Sequence, residues 1–270
     1  VGGARRHRVS SQAWKKATGE AFNQHLPAVK VGIRTKRIVI LVANEISRIN
    51  PELHDEAIAL AEACFKAGGI SVVAPKKKGN DSDEPIVPES SYLFFISNQH
   101  IEALAQLAVP AHTAGETIDK KEARLILKSL NSVDLALFGR MVADAPDLNV
   151  DAACQVAHAI STHRVQTESD YFTALDEEKA RTPGEDAGAG MIGQVEFVSS
   201  TLYRYATINV DALVSNLGSR EVALQAVGAF IEAFTRSMPT GKQNTFANRT
   251  LPEAVLVQVR DDQPLSLASA

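Results

Sequence analysis

Between Val165 and Gln194 the chain runs for thirty residues in which charged and small residues outnumber large apolar ones. Such a stretch buries too little apolar surface to offset the entropy of ordering it as core. It is also too long to be an ordinary connection. The apolar pair Tyr171-Phe172 and the Gly/Ala-rich far end predict a long arm or hairpin with a mobile tip. The core must therefore be assembled from the segments before and after this excursion.

Those segments supply enough material. The chain has 270 residues, 45% of them hydrophobic, which suits one large domain or a core carrying insertions. Residues 31–131 read as mostly helical. Asn50 is placed to cap a helix, with Pro51 at its first position and Gly68-Gly69 at its end, and Ile58, Leu60, Ala61, Cys64 and Phe65 make its apolar face. Lys76 to Glu89 reads as a charged, flexible loop. Asn98 to Val109 reads as a helix stopped by Pro110, and Asp119 to Leu130 as another. This block has the character of a helical insertion.

After it, Val133 to Val142 is apolar and β-branched enough for a strand. Asn149 is placed to cap a helix with the sequence DAACQVAHAI. Beyond the arm, Val195 to Val210 reads as a strand, Ser219 caps a long helix through Arg236, and Leu251 to Arg260 reads as a last strand. The order helix, strand, helix, strand, helix, strand is compatible with a ferredoxin-like or RRM-like α+β sheet whose first strand precedes Val1. The absence of an initial methionine fits a chain that is part of a longer protein.

Charge is segregated. Arg5, Arg6, Arg8, Lys15, Lys16, Lys30, Arg34, Lys36 and Arg37 stand against Glu20 alone in residues 1–37. That is a local +8 in a chain whose total is −4, leaving −12 for the remainder. Within the opening, Ser10 or Ser11 can cap a helix running through Phe22, which places Gln12, Lys15, Lys16 and Gly19 one turn apart. Arginine forks grip phosphate bidentately, lysine grips it as a point charge, and a helix N-terminus offers free amides. Charge alone does not separate that grip from a solvated basic face.

Other chemistry finds little support. His158 and His163 are five apart, which is not one helical face, and there is no HExxH. No metal or cofactor is expected. The loop Met238 to Gln243 lacks the first glycine and the Ser or Thr of a Walker A loop, with Arg236 and Gln243 in those places. There is no nucleophile elbow, and Asp170 beside Glu168 reads as a solvated acid. Cys64 and Cys154 read as buried thiols in apolar helical surroundings, suited to a reducing cytoplasm. No long apolar run or signal peptide suggests a membrane or export.

The motifs themselves carry more. The opening GGARRHRVSSQAWKKA resembles the signature of the backbone subunit of type I-E CRISPR Cascade complexes (the CasC family), a GG-x-R-x-R-[IV]-SSQ-x-[LW]-K-[RK]-A pattern. Arg6, Arg8, Val9, Ser10, Ser11, Gln12, Trp14, Lys15, Lys16 and Ala17 fit it. The similarity continues through Phe138-Gly139-Arg140-Met141, AHAISTH (157–163), Asp170 to Ala174, GQVEFVSSTLYRYATIN (193–209), Gly241-Lys242-Gln243 and Leu265 to Ala268. Gly19 stands where the family usually has a basic residue.

The resemblance implies an RRM-like palm formed by residues 1–30, 132–164 and 195–270, helical fingers at 31–131 and a thumb at 165–194. It implies a non-catalytic, cytoplasmic protein with no metal or cofactor, which stacks in copies along CRISPR guide RNA. Its partners would be the guide, the target DNA strand paired to it, other copies and other Cascade subunits. Ser10, Gln12 and Lys15 would hold RNA backbone, with Arg5, Arg6, Arg8, Ser11, Lys16 and Arg140 beside them. Lys242 and Gln243 would reach the backbone from the other side. Met141 would press on a base, and Tyr171, Phe172 and Thr173 would wedge the base stack. Sequence-independent grip with apolar or aromatic wedges suits a guide of variable sequence. The alternative implied by related type III backbone subunits is an RNA endonuclease, for which Asp170 is the nearest acid.

Overall fold

The computed structural model describes residues 2–27, 30–75, 87–174, 181 and 191–267. In chain order the elements are β1 (Arg8–Val9), α1 (Ser11–His25), β2 (Gly32–Thr35), α2 (Ile38–Ile49), α3 (Ala57–Ala67), β3 (Val72–Val73), β4 (Glu89–Ser90), β5 (Phe94–Ser97), α4 (Asn98–Thr113), α5 (Lys120–Lys128) and α6 (Val133–Phe138). They continue as β6 (Cys154–Val156), β7 (Ala159–Ser161), β8 (Glu168–Ala174), β9 (Met191–Phe197), β10 (Leu202–Tyr203), β11 (Ala206–Ile208), α7 (Val210–Leu217), α8 (Arg220–Arg236) and α9 (Gln243–Phe246). The fold mixes helices with small sheets of two or three strands. The chain divides into two compact units. One gathers residues 1–13, 156–205 and 259–270, and the other residues 14–155 and 206–258.

The larger unit holds the main core. In α2 the buried residues Ile38, Val39, Val42, Ala43 and Ile46 recur at one, three, one and three, the stripe of an amphipathic helix. The segment is rich in β-branched residues, so burial of that stripe overrides local propensity. Ala57, Ala61, Cys64 and Phe65 of α3 and Leu104, Ala105 and Ala108 of α4 close the core around it. Burial pushes the Cys64 thiol up to about 12, which leaves it inert. The block also contains strand pairs that the helical expectation missed, β2 with β5 and β3 with β4. Gly32 opposes Ser97 where a Cβ would lie 2.6 Å from Ser132 Oγ and 2.8 Å from the Ile96 carbonyl. The expected loop at Lys76 to Glu89 lies mostly outside the described residues.

Helix starts fall where capping chemistry puts them. Ser97 accepts from the His100 amide, Asp119 from Glu122 and Ser219 from Val222. Asn50 caps a short 3-10 turn, Pro51–Leu53, ahead of α3. Pro110 does not stop α4, which continues to Thr113 with the Ala114 amide bonded to the Pro110 carbonyl. A proline removes only its own donor, and a helix near its end tolerates that loss.

Four expectations are corrected. Val195 to Val210 is not one strand but the end of β9, then β10 and β11, with α7 starting at Val210. Val133–Phe138 is a helix, not a strand, and Gly139 ends it with φ near 78°. Residues 133–137 are all buried, so the run has no polar face from which to read a period. The DAACQVAHAI segment is two strands, β6 and β7, rather than a helix, and Cys154 is therefore a buried strand thiol. Pairing with β11, β1 and β10 outweighs its alanine-rich composition. Leu251 to Arg260 forms no strand and is exposed throughout. It has strand composition but no ladder partner among the described residues.

The same unit packs α1 on α6 and α8. Phe22 stacks on Phe138 at 6.1 Å, Phe138 meets Phe230 at 6.4 Å, and Thr18 Oγ1 lies 3.3 Å from Ser237 Oγ. Trp14, Ala17, Thr18 and Phe22 are the buried face of α1.

In the smaller unit, β7 is the centre of a three-stranded antiparallel sheet. Arg8 and Tyr203 both oppose Ile160 across it. Strands β8 and β9 form a separate antiparallel ladder running from Glu168↔Phe197 to Ala174↔Met191. That is the expected arm, seen as a hairpin. Its expected tip lies outside the described residues, apart from Arg181.

Candidate nucleic-acid interface

The basic opening is held in extended form before its helix begins. The Ser161 amide donates to the His7 carbonyl at 2.9 Å and the Val165 amide to the Arg5 carbonyl at 3.1 Å. The His7 amide donates to Ser161 Oγ at 3.0 Å, and Arg6 Nη1 donates to the Ser161 carbonyl at 3.0 Å. Arg6 is thus partly committed to the fold. Arg5 and Arg8 are exposed, and their side chains make no hydrogen bond or ion pair among the described residues. The stretch thus displays Arg5 and Arg8 and spends Arg6 on anchoring.

Helix α1 starts at Ser11, where Ser10 Oγ accepts from the Gln12 amide at 3.2 Å. The Ser11 amide donates to His158 Nδ1 at 2.9 Å. That bond requires a neutral imidazole with its proton on Nε2. His158 therefore occupies a free amide at the helix start. The only signal for it was its place in the AHAISTH motif.

Gln12 is exposed and Lys15 half-buried, and neither side chain ends in an ion pair among the described residues. Lys16 is different, because it pairs with Glu20 at 2.5 Å. Gly19 continues the stripe, and a Cβ there would meet the Phe138 ring at an ordinary 3.8 Å. Packing does not demand glycine at that position.

In the larger unit, Arg140 corrects the expected RNA contact. It is 5% exposed, and its guanidinium is shared among the carbonyls of Leu148, Phe95 and Leu127. It also lies 5.0 Å over the Phe94 ring, and burial pulls its pKa down to about 10. Burial keeps the guanidinium from meeting a phosphate at the surface. The next residue, Met141, is 84% exposed. Lys242 is exposed in a left-handed conformation, φ 59°, unusual for a lysine. Gln243 Oε1 accepts from Arg249 Nη2 at 3.2 Å, so its side chain is already engaged.

On the hairpin, Tyr171 and Phe172 point to opposite faces, because neighbours in a strand alternate. Tyr171 shares a face with Thr173, Ile192 and Gln194. The Phe172 ring covers Gly193, where a Cβ would come within 2.3 Å of it. Tyr171 is 70% exposed and Phe172 44%. Asp170 is exposed and sits across from Val195. Among the described residues no group of three His, Cys, Asp or Glu could hold a metal ion. No helix among them is long and apolar enough to cross a membrane.

Comparison with known proteins agrees with the motifs. The CT1975-like protein family matches residues 1–270. A solved chain of a CRISPR RNA-guided surveillance complex in a pre-nicking state is 33% identical, with a TM-score of 0.77 over 98% of this chain and 72% of that one. A chain of another CRISPR RNA-guided surveillance complex is 29% identical, with a TM-score of 0.62 over 99% of this chain and 70% of that one. None of the curated proteins matches significantly. The chain belongs to the CT1975-like protein family, the Cascade backbone family that its motifs resemble.

Proposed function

We propose that the chain is a non-catalytic, cytoplasmic scaffold that coats CRISPR guide RNA as a stack of copies within a Cascade surveillance complex. The RRM-like palm, helical fingers and thumb are the architecture that goes with this reading. The observation that carries it is the pinned basic opening, where the side chains of Arg5, Arg8, Gln12 and Lys15 make no hydrogen bond or ion pair among the described residues. Fixed backbone and free cations give a grip that ignores base identity, as a scaffold for guides of any sequence requires. The same grip leaves stretches of guide open for pairing with a target DNA strand, and other copies and other Cascade subunits complete the assembly.

Salt dependence tests the grip. With four to six phosphates neutralised at about 0.7 each, the log–log slope of RNA affinity against salt is about −3 to −4. The double variant Arg8→Ala, Lys15→Ala removes two contacts and flattens that slope by about 1.4. An unchanged slope in the double variant defeats the assignment.

The endonuclease alternative rests on Asp170. Its carboxylate stands exposed on the hairpin, facing Val195 across the ladder, and the scaffold reading gives it no catalytic task. Guide RNA and RNA paired to it should both survive incubation with the purified protein and Mg²⁺ or Mn²⁺. Cleavage that disappears in Asp170→Ala would establish the endonuclease instead.

A further inference from the structure

Met141 is 84% exposed, yet its neighbours Arg140 and Val142 are 5% and 1% exposed. An apolar side chain pushed outward between two buried anchors is unusual in a core segment. Each anchor is built. Gly139 adopts φ near 78°, and a Cβ there would meet the Val150 carbonyl at 2.8 Å and the Ala152 amide nitrogen at 3.0 Å. Arg140 and Val150 exchange both backbone hydrogen bonds at 2.9 Å. The Val142 amide donates to Asn149 Oδ1 at 2.6 Å.

The Arg140 guanidinium then ties this turn to three other places. Nε donates to the Leu148 carbonyl at 3.0 Å, Nη1 to Phe95 in β5 at 3.2 Å, and Nη2 to Leu127 in the last turn of α5 at 2.7 Å. No carboxylate pairs with it among the described residues. A buried charge without a counter-ion is costly, and it persists only where its hydrogen bonds hold something that an apolar residue could not. A planar fork reaches three separated carbonyls from three different nitrogens, whereas an ammonium would have to reach all of them from one.

We propose that Arg140 is a positioning residue, whose buried guanidinium holds Met141 outward as a rigid apolar peg against an unpaired nucleobase. This rests on the RNA-scaffold reading and deepens it. A thioether is unbranched and polarizable, so it packs on any base without reading its edges. Holding the backbone fixed beforehand removes ordering cost from the contact. The motif Phe138-Gly139-Arg140-Met141 thus divides into a helix end, a turn, an anchor and a contact.

The test compares Arg140→Lys with Met141→Ala in two readouts. The first is amide hydrogen exchange of residues 139–143 in the free chain. Arg140→Lys should speed it by about tenfold or more while the unfolding transition stays cooperative, because the opening is local. The second is chemical probing of bases in the RNA-bound stack. Both variants should lose the protected–exposed contrast at the Met141 position. Wild-type exchange and wild-type contrast in Arg140→Lys overturn the proposal. If Arg140→Lys does not fold, Asn149→Ala, which frees the Val142 amide on the other side of the peg, takes its place under the same criteria. Full contrast in Met141→Ala would instead defeat the base contact itself, and the exchange data would then decide the anchoring role separately.

Discussion

Deleting Ser169 to Met191 abolishes cooperative coating of long RNA, while the remaining protein folds and binds short RNA. The residues removed from β8 and β9 are exposed, so little core is lost with them. The extended opening stays pinned, because its partners Ser161 and Val165 precede the deletion. What disappears is reach. The expected arm is thirty residues long by sequence, and each leg of a hairpin of that length spans about 45 Å at ~3.3 Å per residue. That is enough to cross a bound strand and touch another copy. Exposed aromatic side chains on such an arm gain about 1–3 kcal/mol per stacked base. The binding isotherm on long RNA should become non-cooperative, and regularly spaced exposed bases should vanish from chemical probing. Regular spacing that survives in the thumbless assembly would place the wedge elsewhere, with Met141 the first candidate.

The ladder register refines that expectation. Tyr171, Phe172 and Thr173 cannot act as one wedge, because Phe172 is on the opposite face from the other two. Its ring already lies over Gly193. Tyr171, more exposed and grouped with Thr173 and Ile192, is the aromatic free to meet a base. Single substitutions should therefore separate, with Tyr171→Ala weakening the probing pattern more than Phe172→Ala.

How far the sequence could be read follows from how local each signal was. The caps at Ser97, Asp119 and Ser219 involve side chains within three residues of the amides they satisfy, and helices begin there. The arm was legible because its polarity excludes it from a core whatever the rest does. Val133–Phe138 and the β6–β7 segment were misread because their state depends on distant partners. An apolar helix buried all round shows no period, and an alanine-rich strand is held by neighbours that lie far off in sequence. Arg140 was grouped with the RNA contacts because it is basic and sits in a motif. Its three carbonyl partners lie 8, 13 and 45 residues away, and nothing local announces them. The strand expected at Leu251 to Arg260 shows the converse, since favourable composition meets no ladder partner among the described residues.

Acid should weaken the larger unit through His100, and the effect is large for one residue. His100 is fully buried at the third position of α4. Its Nδ1 accepts from the Ser97 amide at 3.1 Å, which leaves the proton on Nε2 to donate to the Ser129 carbonyl. One neutral tautomer thus satisfies both ends. A second proton would have to displace the Ser97 donor. Burial pulls the pKa down from 6.5 to about 4, against the opposing pull of the Ser129 carbonyl and with help from the Arg140 charge. The folded pKa lies below the unfolded one, so the unfolded chain takes up the proton first as pH falls. Stability is therefore intact above pH 6.5 and is lost progressively down to about pH 4. At 1.36 kcal/mol per unit the loss approaches about 3 kcal/mol by pH 4. His100→Gln is the matched control, because glutamine also serves the third position of a capping box but does not titrate. Asp134, whose burial raises its pKa, changes stability in the opposite direction with pH, but it does so in both proteins and cancels in the comparison. Urea unfolding at pH 7 and pH 4 should show the wild type losing about 3 kcal/mol more than His100→Gln. Equal losses in the two proteins would mean that His100 charges freely in the folded state, and that the hydrogen bond from Ser97 does not hold it neutral.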